Sequence, residues 1–275
     1  MDVKKRKFSL CMVLTKSDSI SHFEEAAISI KNQTYPPNEI IIVNNGGITQ
    51  SHYTVAKKHL PDAIFLDIKE NKTIGFARNL ALDFASSGII AVADPDDINE
   101  LTRFAETIPL LNENSRMVGA YVREFHIKPY DKSIYRKVPC NPLDIIAYSK
   151  YRSPVNNPTV CYFKKDALEV GGYNKKLKYG EDYDLAMAFI RAGKQIYNLP
   201  KSTVNFRSGS KHKTHLKRSG LRLLKEEISL HYFFLKNKDI TYMEFIKIAS
   251  LKFFFRLLPR KPFMAIYNKS LREKI

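Results

Sequence analysis

Cysteine, long apolar runs and glycine-rich phosphate loops are what this 275-residue chain lacks. Its three cysteines, Cys11, Cys140 and Cys161, lie far apart and include no CxxC pair. A reduced, cytoplasmic protein with no zinc site fits this best. No stretch of 18 uninterrupted apolar residues occurs, so no spanning helix is expected. The segment Met1-Asp2-Val3-Lys4-Lys5-Arg6-Lys7 is basic, but no signal-peptide cleavage pattern follows it. No GxGxxG follows the first strand, which argues against a dinucleotide-binding dehydrogenase. No GxxxxGK[ST] occurs either, against a phosphate-loop NTPase. The first loop carries Thr15-Lys16-Ser17-Asp18 instead, so phosphates bound there need a metal or basic side chains.

What is present is a globular composition, 44% apolar and 27% charged, of a length that suits one large domain, or one domain with an appendage. The net charge of +17 is uneven. Residues 201–275 hold 18 Lys/Arg against 5 Asp/Glu, so +13 of it belongs to the last quarter. Anionic partners are implied: nucleic acid, phospholipid head groups or a phosphorylated substrate. A merely solvated basic face reads the same way.

Apolar strands and amphipathic helices alternate four times in the first hundred residues. Strands are expected at Phe8–Leu14, Glu39–Val43, Ala63–Ile68 and up to Asp94, with helices near Ser21–Asn32, Gln50–Lys58 and Ile74–Ser86. The stripe Phe23, Ala26, Ala27, Ile30 has the spacing of one buried helical face. This order predicts an α/β fold around a doubly wound, mostly parallel sheet. A helix over Asn99–Leu111 and a strand over Met117–Glu124 follow, then an irregular excursion over 125–158. Strand Thr159–Phe163, helix 181–192, and short strands near 195–199 and 203–207 complete the core. From 213 onward the pattern is helical, about 213–237, 241–257 and 262–272. The division expected is a nucleotide-binding and catalytic domain over 1–210 and a basic helical extension over 211–275.

Two acidic clusters carry the chemistry. Gly88-Ile89-Ile90-Ala91-Val92-Ala93-Asp94-Pro95-Asp96-Asp97 is a buried strand ending in three carboxylates within four residues. Carboxylates just past the carboxyl end of such a strand sit where open α/β sheets bind ligands. Three like charges so close call for a cation, and a divalent ion that holds substrate phosphates is one answer. The alternative is a solvated turn, with Asp97 and Glu100 forming the capping box of the next helix. The second cluster is Glu181-Asp182-Tyr183-Asp184. Asp182 shares the inward stripe with Leu185, Ala186 and Phe189, while Glu181 and Asp184 fall on the outer face with Arg191. A carboxylate on the buried side at a helix N-terminus is either a general base in a pocket or a helix cap.

Taken in order, these motifs resemble the inverting family 2 glycosyltransferases with the GT-A fold. The resemblance rests on Asn32-Gln33-Thr34-Tyr35-Pro36, Asn44-Asn45-Gly46 and Gly75-Phe76-Ala77-Arg78-Asn79-Leu80-Ala81. It continues through Asp94-Pro95-Asp96-Asp97, Gly171-Gly172-Tyr173-Asn174 and Glu181-Asp182, covering residue 8 to about 210. The resemblance implies a nucleotide-sugar donor contacted by Thr15, Asn45, Arg78 and Asp94. It also implies Mn²⁺ or Mg²⁺ on Asp96 and Asp94, and Asp182 as the base that deprotonates the acceptor hydroxyl. Where the family usually has an Asp that accepts the uracil N3–H, this chain has Asn45, whose carbonyl can accept it too. His212, in Arg207-Ser208-Gly209-Ser210-Lys211-His212, is a further candidate metal ligand, and Lys211 or Lys213 a phosphate contact.

The C-terminal segments Arg218-Ser219-Gly220-Leu221, Lys225-Glu226-Glu227 and Arg256-Leu257-Leu258-Pro259 are similar to the tails of bacterial enzymes building O-antigen, capsule or exopolysaccharide. That implies a saccharide acceptor on a polyprenyl diphosphate at the inner face of the cytoplasmic membrane. The aromatic and basic residues of 241–275 suit an anionic membrane surface, but they form no single clean stripe, so packing of part of the segment on the catalytic domain is the alternative. Two rivals compete. A nucleotidyltransferase acting on sugar phosphates would show a glycine-rich loop after the first strand, and Thr15–Ile20 contains no glycine. A nucleic-acid-binding protein would space aromatics along a basic platform, whereas these cluster among apolar residues, so no nucleic acid is expected.

Overall fold

The first four apolar runs become parallel neighbours in one sheet. In the computed structural model, which describes residues 6–131, 134–208 and 220–259 and the backbone of 273–274, they are β1 (Ser9–Leu14), β2 (Glu39–Asn45), β3 (Ile64–Ile68) and β4 (Ile89–Ala93). Between them run α1 (Ile20–Lys31), α2 (Gln50–His59) and α3 (Ile74–Phe84). Every residue of β4 is buried, as a strand covered on both faces requires. On one face Ala77, Ala81 and Leu82 of α3 pack with Ile41, Val43, Ile90 and Val92. On the other, Phe23, Ala27 and Ile30 of α1 pack with Leu10, Met12, Ile42 and Ala91.

The lateral order is β3-β2-β1-β4, so the winding reverses between β1 and β4. A crevice opens past the carboxyl ends of strands at such a reversal. Thr15 and Asp94 are the first residues beyond those two ends.

Beyond Asp94 the sheet becomes mixed. Its further elements are β5 (Ile98–Asn99), α4 (Arg103–Thr107), β6 (Met117–Phe125), β7 (Ile134–Arg136), α5 (Pro142–Ser149), β8 (Cys161–Phe163), α6 (Lys164–Glu169), α7 (Glu181–Arg191) and β9 (Ile196–Arg207). Strand β8 inserts antiparallel between β4 and β6, and β9 runs parallel to β6.

Three local expectations change. Ile98–Asn99 pairs with β9 instead of opening a helix, so the helix expected over Asn99–Leu111 shrinks to α4 and one 3-10 turn. The capping box at Asp97 goes with it: Thr102 is the N-cap, and Asp97 Oδ1 accepts the Arg207 N–H at 2.9 Å. The excursion over 125–158 contains α5, started by Asn141, whose side chain accepts the Asp144 N–H, with Pro142 in the first turn. The two short strands after residue 195 are one strand, β9. Its register slips between Leu199 and Val204, where Pro200 cannot donate to the ladder.

The C-terminal region adds α8 (Leu221–Lys236) and α9 (Tyr242–Leu257), with Glu273–Lys274 pairing antiparallel to β7 as β10. The helix expected over 262–272 lies outside the described residues. Helices α8 and α9 dock on α7 through Tyr183, Met187, Leu230, Phe234, Ile240 and Ile248. Gly180 begins α7 at φ 77°, and a Cβ there would come within 2.5 Å of Leu230 Cδ2. Only glycine fits both the left-handed backbone and the close approach. Glu227 of α8, buried, receives Lys252 at 2.9 Å and Arg256 at 2.7 Å from α9. Burial alone would raise the Glu227 carboxyl, but the hydrogen bonds and charges of Arg256 and Lys252 bring it down to about 2.

Phe234 is fully buried, its ring edge-on to Tyr183 at 4.9 Å. Phe234→Ala is expected to cost roughly 3–5 kcal/mol in urea unfolding; a loss below about 1 kcal/mol would mean α8 is not docked there. His231 supplies a second test. Burial, with the Lys252 charge acting in the same sense, pushes its imidazole from 6.5 down to about 4. Between those pH values the unfolded chain binds a proton that the folded chain does not, so stability falls as pH drops through that window. His231→Phe should shallow that decline in thermal melts, and an unchanged slope would contradict the assignment.

Candidate active site

Asp94, one residue past β4, is where the two acidic clusters meet. Its Oδ1 accepts from Asn157 Nδ2 at 3.3 Å and faces Arg78 Nη2 at 3.6 Å. Arg78, on α3, also reaches Glu181 at 3.1 Å and donates to Asn157 Oδ1 at 3.0 Å. Its guanidinium lies 5.5 Å from the centre of the Tyr173 ring. Neighbouring Asn79 holds the Tyr173 backbone: its amide donates to the Tyr173 carbonyl at 2.7 Å and its carbonyl accepts the Tyr173 N–H at 2.8 Å. Gly172 makes this clasp possible, since a Cβ there would lie 2.5 Å from Asn79 Oδ1. Arg78-Asn79 and Gly172-Tyr173 are thus two halves of one joint between α3 and the turn leading to α7.

Two cavities meet at this joint. The larger, of about 1090 Å³, is lined at one end by Arg78, Asp94, Asn157, Glu181 and Asp182, and at the other by residues of α8 and α9. The smaller, of about 240 Å³, lies over the ends of β1 and β4 and is lined by Val13, Thr15, Asp18 and Pro95. Arg78, Asp94 and Glu181 line both. Thr15 is held by Asp18, whose carboxylate accepts the Thr15 N–H at 2.6 Å and its hydroxyl at 3.0 Å.

The sequence-derived site residues separate as follows. Asp182, half-buried in the first turn of α7, faces the same cavity as Asp94 and Arg78. Thr15 joins Asp94 and Arg78 in the smaller one. Asp96 is half-buried and lines neither cavity; its carbonyl accepts Arg207 Nε at 2.9 Å. Asn45 lines neither cavity: it is fully buried, its carbonyl accepts the Lys72 N–H at 3.0 Å, and its amide donates to the Lys72 carbonyl at 2.9 Å. A carboxamide engaged on both sides orders the loop after β3. His212, with Lys211 and Lys213, lies outside the described residues. Among the described residues no three His, Cys, Asp or Glu side chains are grouped closely enough to hold a metal ion.

Burial raises Asp94 above the ordinary carboxylate range; Arg78 opposes this and the Asp182 charge adds to it. Glu181 is raised by burial and likewise opposed by Arg78. Asp97 is pushed well up by burial, then by Asp96 and Asp94, and its Oδ2 is buried without a hydrogen-bond partner. Arg103, fully buried, donates to the Val92 carbonyl beneath the cluster.

Glu181 and Asp184 are not on a solvent face. Glu181 is 12% exposed at its side chain and lines both cavities, while Asp184 is buried. Arg191 pairs with Asp239 instead, at 2.8 and 2.6 Å. The helical wheel assumed one wet side for α7, but the sheet covers one side and α8 with α9 the other. The apolar helical pattern after residue 220, which needs a docking surface, was the signal available. Asn157 was expected only among residues that set specificity, and Arg207 only as the start of the loop to His212; neither contact with the acidic residues was legible.

Comparison with known proteins identifies the family. Residues 22–172 match the model of the family described as Glycosyl transferase family 2. The chain is 32% identical over 272 residues to the UDP-Gal:alpha-D-GlcNAc-diphosphoundecaprenol beta-1,3-galactosyltransferase of Escherichia coli, covering 97% of each. It is 27% identical over 266 residues to the amylovoran biosynthesis glycosyltransferase AmsE of Erwinia amylovora, covering 95% of this chain and 98% of that one. Among solved structures, S. aureus TarS 1–349 in complex with UDP-GlcNAc superposes with a TM-score of 0.65 at 17% identity, over 96% of this chain and 73% of that one. The mannosyltransferase PcManGT from Pyrobaculum calidifontis, in complex with GDP-Man and Mn2+, gives 0.66 at 15% identity, over 98% and 76%. These structures share the GT-A-type fold. With its family match spanning more than half its length and a relative aligned end to end, this chain belongs to glycosyl transferase family 2.

Proposed function

We propose that the protein transfers a hexose or N-acetylhexosamine from a UDP-sugar to a hydroxyl of a saccharide carried on a polyprenyl diphosphate, inverting the anomeric centre to a β-linkage, in surface-polysaccharide assembly. One observation carries this: Asp94 and Asp182, from opposite halves of the chain, line one cavity with Arg78 beside them. The E. coli relative, named for a UDP-Gal donor and a diphosphoundecaprenol-linked acceptor, supports the choice of substrates.

The smaller cavity, with Thr15 and Arg78, receives the nucleoside diphosphate end of the donor. The Asp182 carboxylate takes the proton of the acceptor hydroxyl as that oxygen bonds to C1 of the donor sugar. The C1–O bond to the diphosphate breaks, and its electron pair leaves with the nucleoside diphosphate. Attack opposite the leaving group inverts C1. Arg78, fixed by Glu181, Asn157 and Tyr173, sets a positive charge near the departing diphosphate without reorganising.

Asp94 and Asp96 would hold Mn²⁺ or Mg²⁺, with His212 as a third candidate, and the ion would offset charge on the leaving group. The donor set fits an ion that takes one or two carboxylates and completes its shell with phosphate oxygens and water.

At the surface, α9 exposes Met243 at 75%, Phe254 at 71% and Leu251 at 58%. No described helix is long and apolar enough to cross a membrane. With the net charge of +13 over 201–275, this apolar face suits peripheral contact with the inner leaflet of the bacterial cytoplasmic membrane.

A donor screen tests the reaction: a panel of nucleotide sugars, with Mn²⁺ or with EDTA, a lipid-diphosphate-linked acceptor, and detection of released nucleoside diphosphate. Asp182→Asn should lower transfer by roughly 10²- to 10⁴-fold while sparing donor binding; turnover close to wild type would remove Asp182 from the base role. Flotation tests the surface: anionic liposomes should retain the protein at low salt and release it at high salt, and indifference to lipid charge would sink the membrane contact.

A further inference from the structure

The lining of the larger cavity holds two charged groups, one of mixed sign and one mainly cationic. Asp94, Glu181 and Asp182 gather with Arg78 at the end nearest the smaller cavity. The cationic end is formed by Arg152, Lys247, Lys252 and Arg256, with Glu227 the acid among them, and Arg136, Lys137 and Lys178 line the cavity as well. Glu227 lies beneath Lys252 and Arg256, accepting from both, so it offsets one charge and fixes two cations in place. Arg152, Lys178 and Lys247 are exposed at the rim and have no carboxylate partner among the described residues. Lys247 Nζ sits 5.7 Å from the centre of the Tyr151 ring, which also lines the cavity.

Burying Glu227 under two cations is a costly way to join helices, because an apolar pair of similar volume does as well. A preset pair of cations facing a cavity is what an anion with several oxygens needs. That anion is not the donor's diphosphate at the smaller cavity, since no residue of α8 or α9 lines that cavity. The apolar side chains at the cationic end, Leu230, Leu251 and Phe255, match a ligand that is anionic and greasy at once. Leu251 also belongs to the exposed apolar face of α9.

We propose that this cationic end is a binding site for the diphosphate of a lipid-linked acceptor, with Arg152, Lys247, Lys252 and Arg256 holding the phosphates. The lipid chain leaves past Leu251 and Phe255 toward the exposed face of α9, and the attached sugar extends toward Asp182. The identity of the ligand as acceptor rests on the transferase reading; the binding of a lipid diphosphate does not.

The test uses farnesyl diphosphate as probe, in calorimetric titration of the full chain, with farnesol and inorganic pyrophosphate as comparisons. Farnesyl diphosphate should bind at least tenfold tighter than either. The Arg152→Ala/Lys247→Ala double variant changes exposed side chains only, and should lose tenfold or more for farnesyl diphosphate while holding UDP affinity within twofold. Equal affinity for farnesol would overturn the phosphate contact, and equal affinity for pyrophosphate would overturn the lipid contact. A parallel loss of UDP binding in the double variant would give these cations to the donor and sink the proposal, as would unchanged farnesyl diphosphate binding. Intact probe binding with no transfer in the donor screen would uphold this site and remove the transferase reading instead.

Discussion

Mutual repulsion among carboxylates at one point of the fold is the constraint the rest of the structure answers. Asp94, Asp96 and Asp97 follow β4, and Glu181 and Asp182 of α7 meet Asp94 in the larger cavity. Charges of one sign that are partly withdrawn from water must be shared with cations or give up their charge. The chain supplies three arginines from three elements. Arg78 of α3 stands against Asp94 and Glu181, Arg103 of α4 lies beneath β4, and Arg207 ends β9 beside Asp96 and Asp97. Removing Arg78 would leave two half-buried acids facing each other, which is far more damaging than removing the whole group.

Holding those arginines in place requires joints at their bases. Asn79 clamps Tyr173 under Arg78, and Gly172 gives the clamp room. Gly180 lets α7 begin against Leu230, so the docking of α8 and the placement of Asp182 share one contact. The helical C-terminal region is in this sense part of the site: it presses on the first turn of α7 and walls the larger cavity. Small residues here are set by approach distances, not by loop flexibility.

The parallel half of the fold was legible because its signals are local. Apolar runs of strand length, punctuated by Pro36-Pro37 and Asn45-Gly46, leave little freedom in where β1 to β4 and α1 to α3 fall. Asp94 and Asp182 were legible as acids at the ends of buried elements. Glu181 was misread because its surroundings are built by distant segments: the packing of α8 and α9 covers its helix, as Lys72 takes up the Asn45 carboxamide. The same cause explains Asp97, which looked like a helix cap until β9 arrived to donate the Arg207 N–H. Side-chain pairing over more than a hundred residues leaves no trace in periodicity.

Helix α9 does two jobs with opposite faces: Lys252 and Arg256 turn inward to Glu227, while Phe253 and Phe254 turn outward at 50% and 71% exposure. Consecutive residues on a helix point about 100° apart, so the two surfaces cannot be redesigned independently. A shift of register or tilt that suited a different outer environment would carry the inner cations with it and reshape the chamber. Diversification of such an enzyme toward new carriers is therefore pleiotropic within a single helix, and compensation would be sought on the neighbouring face of α8.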